Sequence, residues 1–392
     1  MDLFEKCANY TDAKDLKESG FYPYFMPLDD TEGTEVTIGD KRLVMIGSNN
    51  YLGLTTHPKV RSAACEATAQ FGTSCTGSRF LNGTLAMHLE LEQRLAEYVE
   101  KEAALVFSTG YQVNVGTLSS LLGRGDYVVT DKDDHASIVD GCRLSFGTMK
   151  RFRHNDMVDL ERVLGTIPDN AGKLVVVDGV FSMGGDIAPL HDIIPLCKRY
   201  GARLMVDDAH SIGVLGGGKG TAIHLGVNDD TDLVMGTFSK SFASLGGFIA
   251  GAEPVIHYIQ HHARSLIFSA SMPPGNVAAV SAALDVMVDE PERIERVNQI
   301  GDTMRAAYKK MGFNTGPSET PIIPIIIGDM NATFLTWRLL FEEGVYTNPV
   351  IPPAVPPNLS LLRTSYMATH TDEQMAFVLA TFEKVGRMLD LI

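Results

Sequence analysis

The sequence predicts an α/β protein, with a mostly parallel sheet covered on both faces by helices, followed by a smaller α+β unit. Two observations carry this expectation. Between about residues 100 and 250, short runs that are apolar throughout alternate with helix-like stretches, the pattern of strands buried on both faces. Beyond about residue 275 the texture changes to long helix, short strand, helix. The length agrees, because 392 residues exceed the size at which one hydrophobic core stops growing.

Residues 1–45 hold a helix and a short hairpin, EVTIGDKRLVMIGS, expected to pack with the smaller lobe. Residues 46–275 make the large domain, with strands at ALVF (104–107), YVV (127–129), LVVVD (174–178), RLMVD (203–207) and LVMGT (233–237), and a helix over 190–200. Residues 276–392 make the small domain. There the sequence predicts one long helix over 278–312, a strand at PIIPIII, a helix at FLTWRLLFEEG, an extended stretch at SLLRTSYM and a closing helix over 373–392.

Composition narrows the function. A formal net charge of −15 and the lack of any Lys/Arg-rich run exclude a nucleic-acid binder, and any phosphate site must be built locally from amides, hydroxyls or a few basic side chains. Five scattered cysteines form no CxxC pair or Cys/His cluster with metal spacing, so they are expected as reduced thiols and no metal is expected. The stretch MDLFEKCANY has no apolar core, and no run of about 18 apolar residues occurs, so neither a signal peptide nor a transmembrane helix is expected. The expected location is cytoplasmic, with at most peripheral contact with a membrane.

The segment GTFSKS (236–241) follows an apolar run and brings Thr237, Ser239 and Lys240 to the carboxyl edge of a parallel sheet, where ligands bind in such folds. Two hydroxyls and an amine suit a Schiff-base lysine beside a phosphate. A solvated lysine would not follow an apolar strand and precede SFASLGGF. MVDDAHS (205–211) is a second strand ending in charge, and because neighbouring strand residues face opposite ways, only one of Asp207 and Asp208 can face the site. A buried carboxylate there needs a cationic partner, which a protonated pyridine nitrogen would supply. FSTGYQ (107–112) opens a helix with Ser, Thr and Gly, a phosphate cradle, and DKDDHASI (131–138) places His135 after another strand. GVLGGGK (213–219) has the spacing of a nucleotide P-loop, but Gly220 stands where a Ser or Thr is required, so it is expected to be a glycine turn.

As a set and in this order, GSNNYLGL (47–54), GSRFLNGT (77–84), STGY, DDHASI, GVFSMGGD (179–186), DDAHS, GTFSKS and RTSYMATHT (363–371) resemble the α-oxoamine synthases, over nearly the whole chain. The resemblance implies the fold type I architecture of pyridoxal 5′-phosphate enzymes, with a seven-stranded sheet. It implies Lys240 as the lysine that carries the cofactor, Asp207 at the pyridine nitrogen, His210 at the ring hydroxyl, His135 stacked on the ring and Ser182 close to it. Gly110, Tyr111, Thr237 and Ser239 would surround the phosphate or ring, and Asn50 and Arg363 would hold the amino-acid carboxylate, a task suited to a guanidinium fork. His135 would also steady the thioester oxyanion. The family forms homodimers, so SASMPP (269–274), with Ser271, is expected to reach the partner's phosphate. The implied reaction joins an amino acid to an acyl-CoA with loss of carbon dioxide. Glycine-using members usually have Gly before the lysine, whereas this chain has Ser239. Its GTFSKSFASLGG, GSRFLNGT and YMATHT look most like the bacterial branch that takes L-serine and a long-chain acyl-CoA and yields 3-ketodihydrosphingosine. The alternatives are the branches using glycine with acetyl-CoA or alanine with pimeloyl-CoA.

Overall fold

The computed structural model describes residues 2–392. Its centre is a seven-stranded sheet in the spatial order Ala103–Phe107, Gly247–Gly251, Leu233–Thr237, Arg203–Asp207, Lys173–Asp178, Tyr127–Asp131, Thr148–Phe152. All five expected runs are strands of this sheet. Six strands run one way, and Gly247–Gly251 runs antiparallel to both its neighbours. The short connection 238–246 explains that direction, since a parallel return needs a crossover of a dozen or more residues.

The two remaining strands gave weaker signals. Thr148–Phe152 is an edge strand, TMKRF, in which Thr148, Lys150 and Arg151 interrupt any apolar run. Gly247–Gly251 is fully buried but bounded by glycines. Alternation on the central strands fills both sides of the sheet. Leu174, Val176 and Met205 pack on one face and Val175, Val177, Leu204 and Val206 on the other, so the apolar runs have no polar phase.

The C-terminal elements form a three-stranded antiparallel sheet in the order Ile322–Gly328, Ser360–Ser365, Asn348–Val350, covered by the helices Glu292–Met311, Met330–Glu342 and Asp372–Met388. The single helix expected over 278–312 is two, Pro274–Asp289 and Glu292–Met311. Pro291 breaks it, because proline lacks the amide donor and bars the preceding residue from helical geometry. The N-terminal hairpin forms as expected. Its strand Lys41–Met45 pairs in parallel with Val345–Tyr346, which ties the start of the chain to its C-terminal part.

The decoy segment is a tight turn closed by an Ile212–Lys219 bridge, with Gly216, Gly217 and Gly218 at φ of 60°, 64° and 90°. Only one helical turn, Thr221–His224, follows it. Among the described residues no helix is long and apolar enough to cross a membrane.

Candidate active site

The carboxyl edge of the parallel strands opens into a cavity of about 290 Å³, lined among others by Gly110, Tyr111, His135, Asp178, Asp207, His210, Thr237, Ser239 and Lys240. Strand register brings these side chains together: Asp207 lies opposite Asp178 on one neighbouring strand and Met235, two residues before Thr237, on the other.

Lys240 sits three residues past the end of its strand. Phe238 and Phe242 flank it and bury completely, their ring centroids 5.2 Å apart, which fixes the turn between them. Lys240 itself is half-buried in the cavity wall. Desolvation pulls its amine down to about 8, with Arg363 pulling the same way and Asp207 and Asp178 opposing. The Thr237 and Ser239 hydroxyls lie 3.0 Å apart, and Thr237 donates to the Gly246 carbonyl at 3.2 Å.

The two acids of the DDAHS segment separate as alternation requires. Asp207 lines the cavity and accepts from Asn114 Nδ2 at 2.6 Å and from the Ala209 amide at 3.0 Å. Asp208 points into the protein, where it accepts from the Ser211 hydroxyl and from the Thr221 amide at 3.1 Å. Burial raises the Asp208 carboxyl to about 6.

His210 is buried, and its Nδ1 shares a hydrogen bond of 2.7 Å with the Tyr51 hydroxyl. Burial, with Lys240 and Arg363 nearby, holds it well below the ordinary histidine value and therefore neutral. His135 stands at the cavity mouth and caps the helix Ala136–Leu144. The Ser137 amide donates to its Nδ1 at 3.2 Å, so that nitrogen carries the lone pair and the neutral ring keeps its proton on Nε2. Partial desolvation lowers its value, opposed by Asp207.

The helix Gly110–Leu121 begins at the cavity wall, and its first amides have no intrahelical acceptor. Thr109 caps it by accepting from the Gln112 amide at 3.1 Å. Gly110 is obligatory, because a Cβ there would stand 2.5 Å from Thr237 Oγ1. Tyr111 is exposed and donates to Asp140 at 2.6 Å.

The adjacent Asn49 and Asn50 make different contacts. Asn50 donates to the Thr55 hydroxyl at 2.9 Å and accepts from the Leu54 amide at 3.0 Å, bonds that close a local turn. Asn49 instead accepts from Arg363 Nη2 at 2.9 Å. Arg363 is buried, and its Nε donates to the Ser182 carbonyl at 2.6 Å. Ser182 therefore contacts Arg363 through its backbone, and it does not line the cavity. Ser271 also lies outside the cavity lining, buried, with its amide on the Gly77 carbonyl at 2.9 Å and its hydroxyl without a partner.

The cavity fits a phosphorylated pyridine aldehyde on the structure's own terms. A reactive amine faces a carboxylate held in place by an amide and Asn114, and open helix amides and two hydroxyls stand beside it. Residues 41–382 match the family described as aminotransferase class I and II. The chain belongs to that family. Within it, the chain is 49% identical over 374 residues to a serine palmitoyltransferase of Sphingobacterium spiritivorum, covering 95% of this chain and 94% of that one. It is 43% identical over 380 residues to an 8-amino-7-oxononanoate synthase of Symbiobacterium thermophilum, covering 96% of this chain and 97% of the relative. A serine palmitoyltransferase from S. paucimobilis, solved with bound PLP–myriocin aldimine, superposes with a TM-score of 0.97 at 37% identity, covering all of both chains. These likenesses place the chain among the α-oxoamine synthases, with pyridoxal 5′-phosphate as cofactor.

Three residues that the motifs did not single out contact the cavity or Arg363. Asn114 lies one helical turn after Gly110, so it shares the cavity-facing side of that helix, a spacing that was available. Asp178 ends an expected strand and lines the cavity, and burial with Asp207 nearby raises its carboxyl well above the usual range. Asn49 had no signal beyond its adjacency to Asn50.

Proposed function

We infer that the chain condenses L-serine with a long-chain acyl-CoA such as palmitoyl-CoA, releasing coenzyme A and carbon dioxide. The observation that carries the chemistry is the Lys240 amine, held near 8 in a cavity that also presents Asp207. The substrate pair is supported by full-length likeness to serine palmitoyltransferases, greater than that to the oxononanoate synthase.

Lys240, Asp207, His210 and His135 would hold pyridoxal 5′-phosphate, with Thr237, Ser239, Gly110 and Tyr111 around its phosphate or ring and Ser271 serving the site of a second subunit. Bound there, the cofactor would supply an electron sink for negative charge at the amino-acid Cα. The rest falls to the chain itself. Arg363, steadied by Asn49 and the Ser182 carbonyl, pairs with the substrate carboxylate. Lys240 in its neutral form accepts the Cα proton. The Cα then bonds to the thioester carbon, the carbon–sulfur bond breaks and coenzyme A leaves as its thiolate, the carboxylate leaves as carbon dioxide with its bonding pair kept at Cα, and the Lys240 ammonium returns a proton to that carbon. The Nε2–H of His135 is free to donate to the oxyanion that develops on the thioester oxygen.

A homodimer in the cytoplasm is the proposed working form. Phe80, Leu81 and Phe268, 55%, 77% and 75% exposed, lie on two segments joined by the Ser271–Gly77 hydrogen bond, an apolar surface that a second copy would cover. The deciding experiment measures coenzyme A release with serine, glycine, alanine and threonine crossed against acetyl-, pimeloyl-, succinyl- and palmitoyl-CoA. The highest kcat/KM belongs to serine with palmitoyl-CoA. Best turnover of alanine with pimeloyl-CoA, or glycine with acetyl-CoA, would reassign the substrate pair and leave the condensation intact.

A further inference from the structure

His154 lies outside the cavity, yet it joins the end of a central strand to the segment that begins at Val180, a residue of the cavity wall. Its Nδ1 is 3.1 Å from Asp131 Oδ1 at the end of the strand Tyr127–Asp131, and its Nε2 is 2.9 Å from Asp186 Oδ2. A carboxylate can only accept, so both ring nitrogens donate and the ring is a cation. Burial works against that charge, but the hydrogen bonds to Asp131 and Asp186 outweigh it and lift the imidazole to about 10. Asp133, at 3.9 Å, is the third acid facing the ring. Asn155 repeats the bridge, its amide on Asp131 Oδ2 at 2.8 Å and its side chain on Asp186 Oδ2 at 2.9 Å, from a φ of 50° that asparagine tolerates.

Asp186 belongs to a small hairpin closed by the Val180–Ile187 bridge, and the His154 ring packs edge-on against its Phe181 at 4.4 Å. The far side of the hairpin grips the C-terminal part of the chain. The Gly185 carbonyl accepts from the Glu319 amide at 3.0 Å and from Thr320 Oγ1 at 2.9 Å. Residues 319–320 run directly into the strand Ile322–Gly328, in which Pro324 pairs with Arg363. The tip of the same hairpin supplies the Ser182 carbonyl that holds Arg363 Nε. The guanidinium is thus set both through its own strand and through a hairpin whose Asp186 carboxylate is paired with His154.

We propose that His154 is a positioning residue for the amino-acid carboxylate: as a cation between Asp131 and Asp186 it locks the 180–187 hairpin to the sheet and so fixes the aim of Arg363. The inference rests on the reading of Arg363 as the carboxylate partner. Without the cation, two buried carboxylates face each other with only Asn155 bridging them, the hairpin shifts, and the aim of the Arg363 fork is lost, while His135 keeps its contact with Ser137.

The test uses the cofactor-loaded full chain carrying His154→Gln, Asp186→Asn, Arg363→Lys, or His154→Gln with Arg363→Lys. L-serine is titrated by the change in cofactor absorbance, and KM is measured separately for serine and for palmitoyl-CoA. His154→Gln weakens serine at least tenfold in both readouts and leaves the palmitoyl-CoA KM within twofold. Asp186→Asn moves serine the same way by a smaller factor, and carries the test if His154→Gln does not fold. The double variant binds serine little worse than Arg363→Lys alone, because both changes remove one function. Multiplicative loss in the double variant, or equal loss on both substrates, overturns the proposal. Arg363→Lys without effect on serine would refute the carboxylate reading itself, and the inference with it.

Discussion

The reactivity of the Lys240 amine can be measured without turnover. Desolvation brings it from the ordinary 10.5 to about 8. At pH 7 the neutral fraction then rises from roughly 0.03% to about 10%, a few-hundred-fold gain in nucleophile for a shift equivalent to ~3 kcal/mol. The sign with respect to stability follows from proton counting. Between about 8 and 10.5 the unfolded lysine binds a proton that the folded one has released, so this group favours the fold increasingly as pH rises through that window. The perturbation is Asp207→Asn. Asp207 is the larger of the two carboxylate influences that oppose the shift, so its removal carries the amine further below 8. The assay is trinitrophenylation of cofactor-free protein as a function of pH, with peptide mapping to isolate Lys240. The expected midpoint is about 8 in the parent chain and lower in Asp207→Asn. A midpoint near the ordinary lysine value, or one that rises when Asp207 is neutralised, would refute the cavity electrostatics argued here.

Three further outcomes follow from the geometry. Asp207→Asn abolishes exchange of the serine Cα proton in deuterium oxide with the fold intact, whereas Asp208→Asn lowers thermal stability by about 1–3 kcal/mol through its Ser211 and Thr221 contacts and leaves exchange measurable; the reverse pattern would show the strand faces misassigned. Asn49→Ala raises the serine KM, while Asn50→Ala costs about 1 kcal/mol of stability through the lost turn bonds and spares KM, and equal KM effects would contradict the division between them. Gly110→Ala drives a methyl toward Thr237 Oγ1, 2.5 Å away, so its pyridoxal phosphate affinity falls about tenfold, equivalent to ~1.4 kcal/mol; undiminished affinity by equilibrium dialysis would remove Gly110 from the phosphate cradle.

The sheet and its ligand edge were legible because buried parallel strands must be apolar on both faces, and each such run ends where the chemistry begins: Asp207 and Thr237 close strands that the pattern located to the residue. The choice of Asp207 over Asp208 was half legible. Alternation guarantees that one acid faces away, the resemblance points to Asp207 as the one at the site, and the Thr221 amide and Ser211 hydroxyl, supplied by the chain beyond the strand, hold Asp208 on the other side. The direction of Gly247–Gly251 and the polar edge strand Thr148–Phe152 escaped, since an edge position and a hairpin return leave no apolar period of their own.

The sequence by itself thus determined five of the seven strands of the large sheet, the lysine that ends in a cavity and the family to which its motifs belong, all properties of local pattern and spacing. Only the tertiary structure decided which of two adjacent asparagines meets Arg363, that Asn114 holds the Asp207 carboxylate, and that His154 ties a hairpin to the sheet between two buried acids. Those contacts join residues that are far apart in the chain, and burial with its demand for hydrogen-bond partners selects among side chains that local pattern leaves equivalent.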